Sequence, residues 1–213
     1  MSVDTALDHL IVGASSLADG VDYVAKVTGA TPRRGGRHVA MGTHNALLRL
    51  GDRVYLEVLA IDPEGQKPAR ARWFDLDDTA VQAELAEHPR LIAWVARTND
   101  IDGAVARCPI ALGAVHPFER GAYRWRITMP DDGKRPATGL LPALIQWDVA
   151  AHPADALPQS GVSIAGIAGA HPDPATIRAA LAALGLAEAL SLSRDRHTRL
   201  TATLMTPRGT VSL

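Results

Sequence analysis

The sequence predicts an α+β protein, and three observations carry that expectation. Three stretches read alike: LDHLIVGASSLADGVDYVAKVTGA (residues 7–30), LIAWVARTNDIDGAVARCPIALGA (91–114) and VSIAGIAGAHPDPATIRAALAALG (162–185). Each is a short apolar strand, a polar turn, a short amphipathic helix, then Gly or Gly-Ala. Each is followed by further strand-like pieces separated by turn residues. The composition is that of a packed globular chain, with 47% hydrophobic and 21% charged residues in 213, enough for a sizeable core in one or two domains.

The elements follow in order. A strand is expected at 7–13 and a helix at 16–28. Ser16 sits at its N-cap, with Asp19 three residues on, and Leu17, Val21 and Val24 recur at helical spacing. The pieces HVAMG, NALLRLG and RVYLEVLAID supply further strands, two of them at 46–50 and 54–61. These complete a first βαβββ unit over residues 1–62. Residues 63–90 read as an insertion or linker. The second βαβββ unit spans 91–150, with strands at 91–97, 122–129 and 143–149, a helix at 101–107 capped by Asp100, and a loop at 130–139. AAHPADALPQSG is a linker. Residues 162–213 form a partial third βαββ unit packed on the same domain, with a strand at 162–168. Its helix at 174–184 starts at Asp173-Pro174 and carries Ile177, Leu181 and Leu184 on one side.

Several function classes are disfavoured. Twenty-two Lys+Arg against 23 Asp+Glu leave a net charge of −1, so there is no basic field for nucleic acid. No apolar run is long enough to span a bilayer. The start, MSVDTALDHL, has neither the basic nor the apolar region of a signal peptide. With one cysteine, Cys108, the expectation is a cytoplasmic chain without disulfides or multi-Cys metal sites. Neither GxGxxG nor GK[ST] occurs, so no nucleotide cofactor is expected. No serine has a GxSxG setting.

Few residues promise chemistry. On a strand, Leu7, His9 and Ile11 share one face, and Asp8, Leu10 and Val12 the other. His9 is then either a satisfied core histidine or a ligand facing a cavity. Tyr55, Glu57, Leu59 and Ile61 likewise share a face. A carboxylate there needs a metal, strong donors or an arginine, because an unpaired buried charge is costly. Aligning YLEV with LIQW puts Gln146 at the position matching Glu57, as a weak oxygen ligand or a structural amide. In GGRHVAMGTHNALLRLG, Arg37, His38, His44 and Asn45 form either a ligand-facing rim or a polar hairpin, with glycines that permit close backbone approach. The arginines of RARW (70–73) and the histidines His88, His116, His152, His171 and His197 read as solvent-facing. Trp73, Trp94, Trp125 and Trp147 suit stacking on an aromatic ligand.

His9 in LDHL, the βαβββ repeat and Glu57 in YLEVLA together resemble the vicinal oxygen chelate superfamily. GGRHVAMGTHNALLRLG followed by YLEVLAIDP is similar to its glyoxalase-like branch. The resemblance implies paired βαβββ units whose curved mixed sheets enclose a cavity, within one chain or across a dimer. It implies a divalent metal (Mn, Fe, Co, Ni or Zn) held by first- and fourth-strand residues. His9 and Glu57 match two such positions and Gln146 falls at a third. The fourth falls near Ala93, beside Trp94, and neither binds metal, which leaves His44 or His116 as the substitute ligand. The activity implied is metal-assisted lyase, isomerase or oxygenase (dioxygenase) chemistry on a small oxygen-bearing molecule. His9 and Glu57 would be its catalytic residues, with Arg37, His38, His44, Asn45 and Gln146 contacting substrate. The alternative is a metal-free protein that binds or sequesters a small molecule, as monomer or homodimer.

Overall fold

A computed structural model describes residues 4–213. The first unit runs β1 (Thr5–Gly13), α1 (Leu17–Thr28), β2 (Arg33–His38), β3 (Thr43–Gly51) and β4 (Val54–Ile61). After α2 (Thr79–Glu87) comes the second: β5 (Arg90–Thr98), α3 (Ile101–Arg107), β6 (Ala114–Arg120), β7 (Tyr123–Met129) and β8 (Ala143–Trp147). The remainder is β9 (Ser163–His171), α4 (Pro174–Ala183), β10 (Ser191–Arg194), β11 (Arg199–Thr206) and β12 (Gly209–Ser212).

The two units join edge to edge in one curved eight-stranded sheet, ordered β2-β3-β4-β1-β5-β8-β7-β6. Each half is built alike. β1 pairs parallel with β4, β5 pairs parallel with β8, and β1 meets β5 antiparallel at the seam. The third segment keeps the strand-helix-strands order but not the pairing. Its sheet runs β10-β9-β11-β12, so its first strand lies parallel to the second strand of the segment. It packs against the convex face, where Ile167, Leu181 and Leu204 share a core with Leu10, Val12 and Trp94.

Alternation sorts the side chains. Leu10, Val12, Leu56 and Val58 point to the convex core under the helices. Ile11, Leu59, Ile127 and Ile145 point to the concave side. Each fully buried aliphatic chain contributes about 1.5–3 kcal/mol. Helix α1 starts where expected, with Ser16 accepting from the Asp19 amide, and Asp100 caps α3 through the Gly103 amide. α1 lies so close to the sheet that a Cβ on Gly20 would sit 2.4 Å from Val58.

Several expectations are corrected. Val39–Met41, within the strand-like HVAMG, form a 3-10 turn. Strand β6 was not anticipated, and Pro117 lies inside it. The insertion holds α2, capped by Asp78, and its Trp73, Phe74, Leu76 and Leu85 cover part of the concave face. Arg72, expected in solvent, is buried against Asp77 and the Gly42 carbonyl. No helix among the described residues is long and apolar enough to cross a membrane.

Candidate active site

Ile11 lies opposite Glu57 on the neighbouring parallel strand. That register brings His9 and Glu57 to one concave patch, with His9 Nε2 3.5 Å from Glu57 Oε2. Both are buried, at 4% and 6% exposure. A bulge between Leu7 and His9 leaves Asp8 as the extra residue of β1. Strict alternation had placed Asp8 on the opposite face. The bulge instead turns its carboxylate alongside His9, and His9 Nδ1 donates to Asp8 Oδ1 at 2.7 Å.

Asp8 is wholly buried and fully bonded. Trp147 Nε1 donates to its Oδ2 at 2.9 Å, and His152 Nε2 does so at 3.2 Å. The Ala154 amide donates to His152 Nδ1. That ring is therefore the Nε2–H tautomer, a neutral donor. His152 is 1% exposed, a correction to its reading as a solvent-facing histidine. Burial raises the Asp8 pKa, but the bonds from His152 and His9 outweigh it and hold the carboxyl well below its ordinary range. With Nδ1–H committed to Asp8, the opposite nitrogen of His9 faces the Glu57 carboxyl. Asn45 Nδ2 donates to Glu57 Oε1 at 2.6 Å, and its Oδ1 accepts from the Gly36 amide. Tyr55 stacks on the His9 ring at 4.5 Å. Burial and the nearby carboxylates push its phenol well above the usual range, so it stays neutral.

The opposite wall, from the second unit and the insertion, is aromatic. Trp73, Phe118, Trp125 and Trp147 follow one another at ring separations of 5.4, 5.9 and 5.7 Å. Phe74 reaches the cavity from a left-handed backbone (φ 59°), a conformation that costs on the order of 1–3 kcal/mol for such a side chain. Between the walls lies an inner cavity of about 40 Å³, room for a head group of a few heavy atoms. It shares His38, Arg120 and Trp125 with an outer groove of about 580 Å³.

The remaining candidates divide. His38 lines both spaces; burial and then the Arg120 charge lower its pKa to about 3. It is therefore a neutral ring that accepts from Arg120 at Nε2 (3.1 Å) and meets Thr43 Oγ1 at Nδ1. Arg37 borders only the outer groove and is held by Asp62 and Glu64. His44 borders neither space and points away from Asn45 toward Asp62, 3.9 Å off. Gln146 also leaves the site: its Oε1 accepts from the Ile101 amide at the start of α3. Its neighbours Ile145 and Trp147 face the cavity instead, because a one-residue offset on a strand reverses the face. Trp94 is buried on the convex side, donating to the Leu140 carbonyl. Asp8, expected on the opposite face, His152, expected in solvent, and Arg120, not singled out, were missed as site residues. The acid beside His9 in LDHL was a signal for the first, and nothing local marks the others.

A divalent metal of the family kind does not fit this donor set. Only His9 and Glu57 converge. Asn45 turns its amide nitrogen to Glu57, and the matching wall offers Ala93, Val95, Ile145 and Trp147. Among the described residues no group of three or more His, Cys, Asp or Glu is placed to hold an ion.

Comparison with known proteins agrees with the architecture. A family model described as a glyoxalase-like domain matches residues 7–185. No curated protein matches. Among solved structures, a hypothetical protein from Staphylococcus aureus is 14% identical, with 98% of this chain and 84% of that chain covered and a TM-score of 0.59. Methylmalonyl-CoA epimerase from Streptomyces coelicolor, in complex with 2-nitronate-propionyl-CoA, is 21% identical over 69% of this chain and 96% of its own, TM-score 0.42. The Mycobacterium tuberculosis epimerase is 18% identical over 68% and 88%, TM-score 0.40. With two βαβββ units closed around a cavity and the family model matching most of its length, the chain belongs to the glyoxalase-like domain family of the vicinal oxygen chelate superfamily.

Proposed function

We propose that this protein is an isomerase or lyase that moves a proton on a small carbon acid, a molecule with an acidic C–H beside a carbonyl. Glu57 accepts the proton and His9 shares it, with no protein-held metal in the step. The buried Asp8–His9–Glu57 chain, at the floor of a cavity that is otherwise aromatic, carries this reading. Asp8 holds the His9 ring through Nδ1 and keeps Nε2 aimed at Glu57, the arrangement general acid–base catalysis needs. Asn45 fixes the other Glu57 oxygen. Charge developing on the substrate oxygen would meet donors at the cavity neck, where Arg120 stands.

The test is proton exchange. Small 2-oxo and 3-oxo acids and hydroxyketones are incubated with the protein in D2O, and loss of the C–H signal is followed by NMR. Wild type is expected to exchange at least one of them, and Glu57→Gln to lose about 100-fold or more while melting within a few degrees of wild type. Equal exchange by Glu57→Gln rejects the role. The aromatic wall also favours a second reading, a protein that binds a ring without chemistry. Saturable binding with no exchange in any member of the panel would favour it.

A further inference from the structure

We infer that Arg120 is the anchor for a carboxylate group on the ligand, held ready by His38 until that group arrives. This rests on the cavity being a substrate site and adds the substrate's class: a small carboxylic acid with an apolar, ring-sized body.

Arg120 ends edge strand β6 and reaches across the mouth of the half-barrel to the opposite edge strand. A Cβ on Gly36 of β2 would lie 3.1–3.3 Å from its Cδ, Nη1 and Cζ. A glycine here leaves room for the guanidinium, which a side chain at this position would press outward. The side chain borders both the inner cavity and the outer groove. Its partner there is a neutral imidazole, His38 Nε2 at 3.1 Å. Among the described residues Arg120 forms no ion pair, whereas Arg37 on the same groove is already taken by Asp62 and Glu64. Glu119 also borders the groove, but it is exposed and makes no ion pair with Arg120. A guanidinium carries five donors in a planar fork matched to a carboxylate, so one bond to a neutral ring leaves most of that capacity unused.

A second unpaired donor lines the same neck. Trp73 is 6% exposed, its Nε1 has no hydrogen-bond partner, and its ring lies 5.0 Å from His38. A buried N–H without an acceptor is costly. A ligand carboxylate at this point offers one oxygen to Arg120 and one to Trp73. The groove beyond, walled by Val39, Pro117, Phe118 and Trp125, then takes the apolar body.

The experiment titrates phenylacetate, phenylacetamide and benzylphosphonate by calorimetry into wild type and into Arg120→Gln, Arg120→Lys and Trp73→Phe. Wild type should bind phenylacetate roughly tenfold or more tighter than its neutral amide, the size of a charge-assisted hydrogen bond. Arg120→Gln should erase that preference, and Arg120→Lys should keep part of it. Trp73→Phe should weaken the acid more than the amide. Equal or absent binding of the acid in wild type overturns the inference without recourse to any variant. So does a preference that survives in Arg120→Gln, while tighter binding of the phosphonate overturns the carboxylate assignment. Repeating the titration in Glu57→Gln separates the two readings. An acid preference there supports the anchor whether or not proton exchange occurs. Exchange in wild type without acid preference ends the anchor and leaves proton transfer standing.

Discussion

Asp8 and His9 are consecutive in the chain, yet their side chains meet on one face of the sheet, with His9 Nδ1 2.7 Å from Asp8 Oδ1. The bulge at this point of β1 makes that possible, and the same carboxylate gathers Trp147 and His152 from far along the chain. One buried anion thus orients the histidine that faces Glu57 and ties the first unit to the second and to the linker behind it.

Asp8→Asn tests that role. An amide keeps one acceptor but presents N–H groups to partners that are themselves donors. Loss of a buried hydrogen-bonded charge is expected to cost about 2–4 kcal/mol, lowering the melting temperature by roughly 5–12 °C in a chain of this size. Chemical and thermal denaturation measure it. A shift under one degree would show that the network adds nothing.

Acid should destabilise the fold in two stages. The folded-state pKa of His38 lies below its ordinary 6.5, so the unfolded chain binds its proton first. Stability is therefore complete above about pH 6.5 and falls as pH drops toward about 3. The folded pKa of Asp8 also lies below its ordinary 3.8. Its contribution is present above that value and is lost as pH falls further. His38→Gln should flatten the unfolding free-energy curve between pH 6.5 and about 3, and Asp8→Asn should flatten it only below about 3.8. A His38→Gln curve that superimposes on wild type would rule out a neutral buried His38.

Gln146→Ala separates cap from ligand. The variant should lose about 1 kcal/mol, since the Ile101 amide is left without its acceptor. Ligand affinity should not change. A tenfold loss of affinity at unchanged stability would return Gln146 to the site.

Gly20→Ala should destabilise the chain although it replaces a glycine inside a helix. The new Cβ would stand 2.4 Å from Val58 and 2.8 Å from Ala14. Overpacking of this kind costs about 1–3 kcal/mol, more than the roughly 1 kcal/mol a helix gains from replacing glycine. A net rise in melting temperature would mean that α1 can shift outward without penalty.

Metal removal should change little. Dialysis against EDTA and readdition of Mn, Fe, Co, Ni or Zn salts should leave the melting curve and proton exchange unaltered, because two converging ligands are too few for tight binding at the family position. A rise of several degrees with one metal at stoichiometric concentration would show that His9 and Glu57 recruit further ligands.

What the sequence determined by itself is what depends on neighbours in the chain. The period-two pattern of LDHLIV and YLEVLA, the caps at Ser16 and Asp100 and the repeat of strand, helix and strands are local. They marked the βαβββ units and singled out His9 and Glu57 as polar groups on apolar faces. Tertiary structure decided the rest. Edge strands β2 and β6 carry Gly35, Gly36 and Pro117, residues that weaken a strand signal, and Pro117 is tolerated because β6 lies at the sheet edge. The bulge that moves Asp8 to the His9 face leaves no mark in alternation, and a one-residue offset was enough to send Gln146 to the wrong side. His152 reaches Asp8 across 144 residues, and Arg120 reaches His38 across 82. Periodicity reports which face a residue occupies along its own strand. Which distant side chain fills the space opposite is set by how the whole sheet curves and closes.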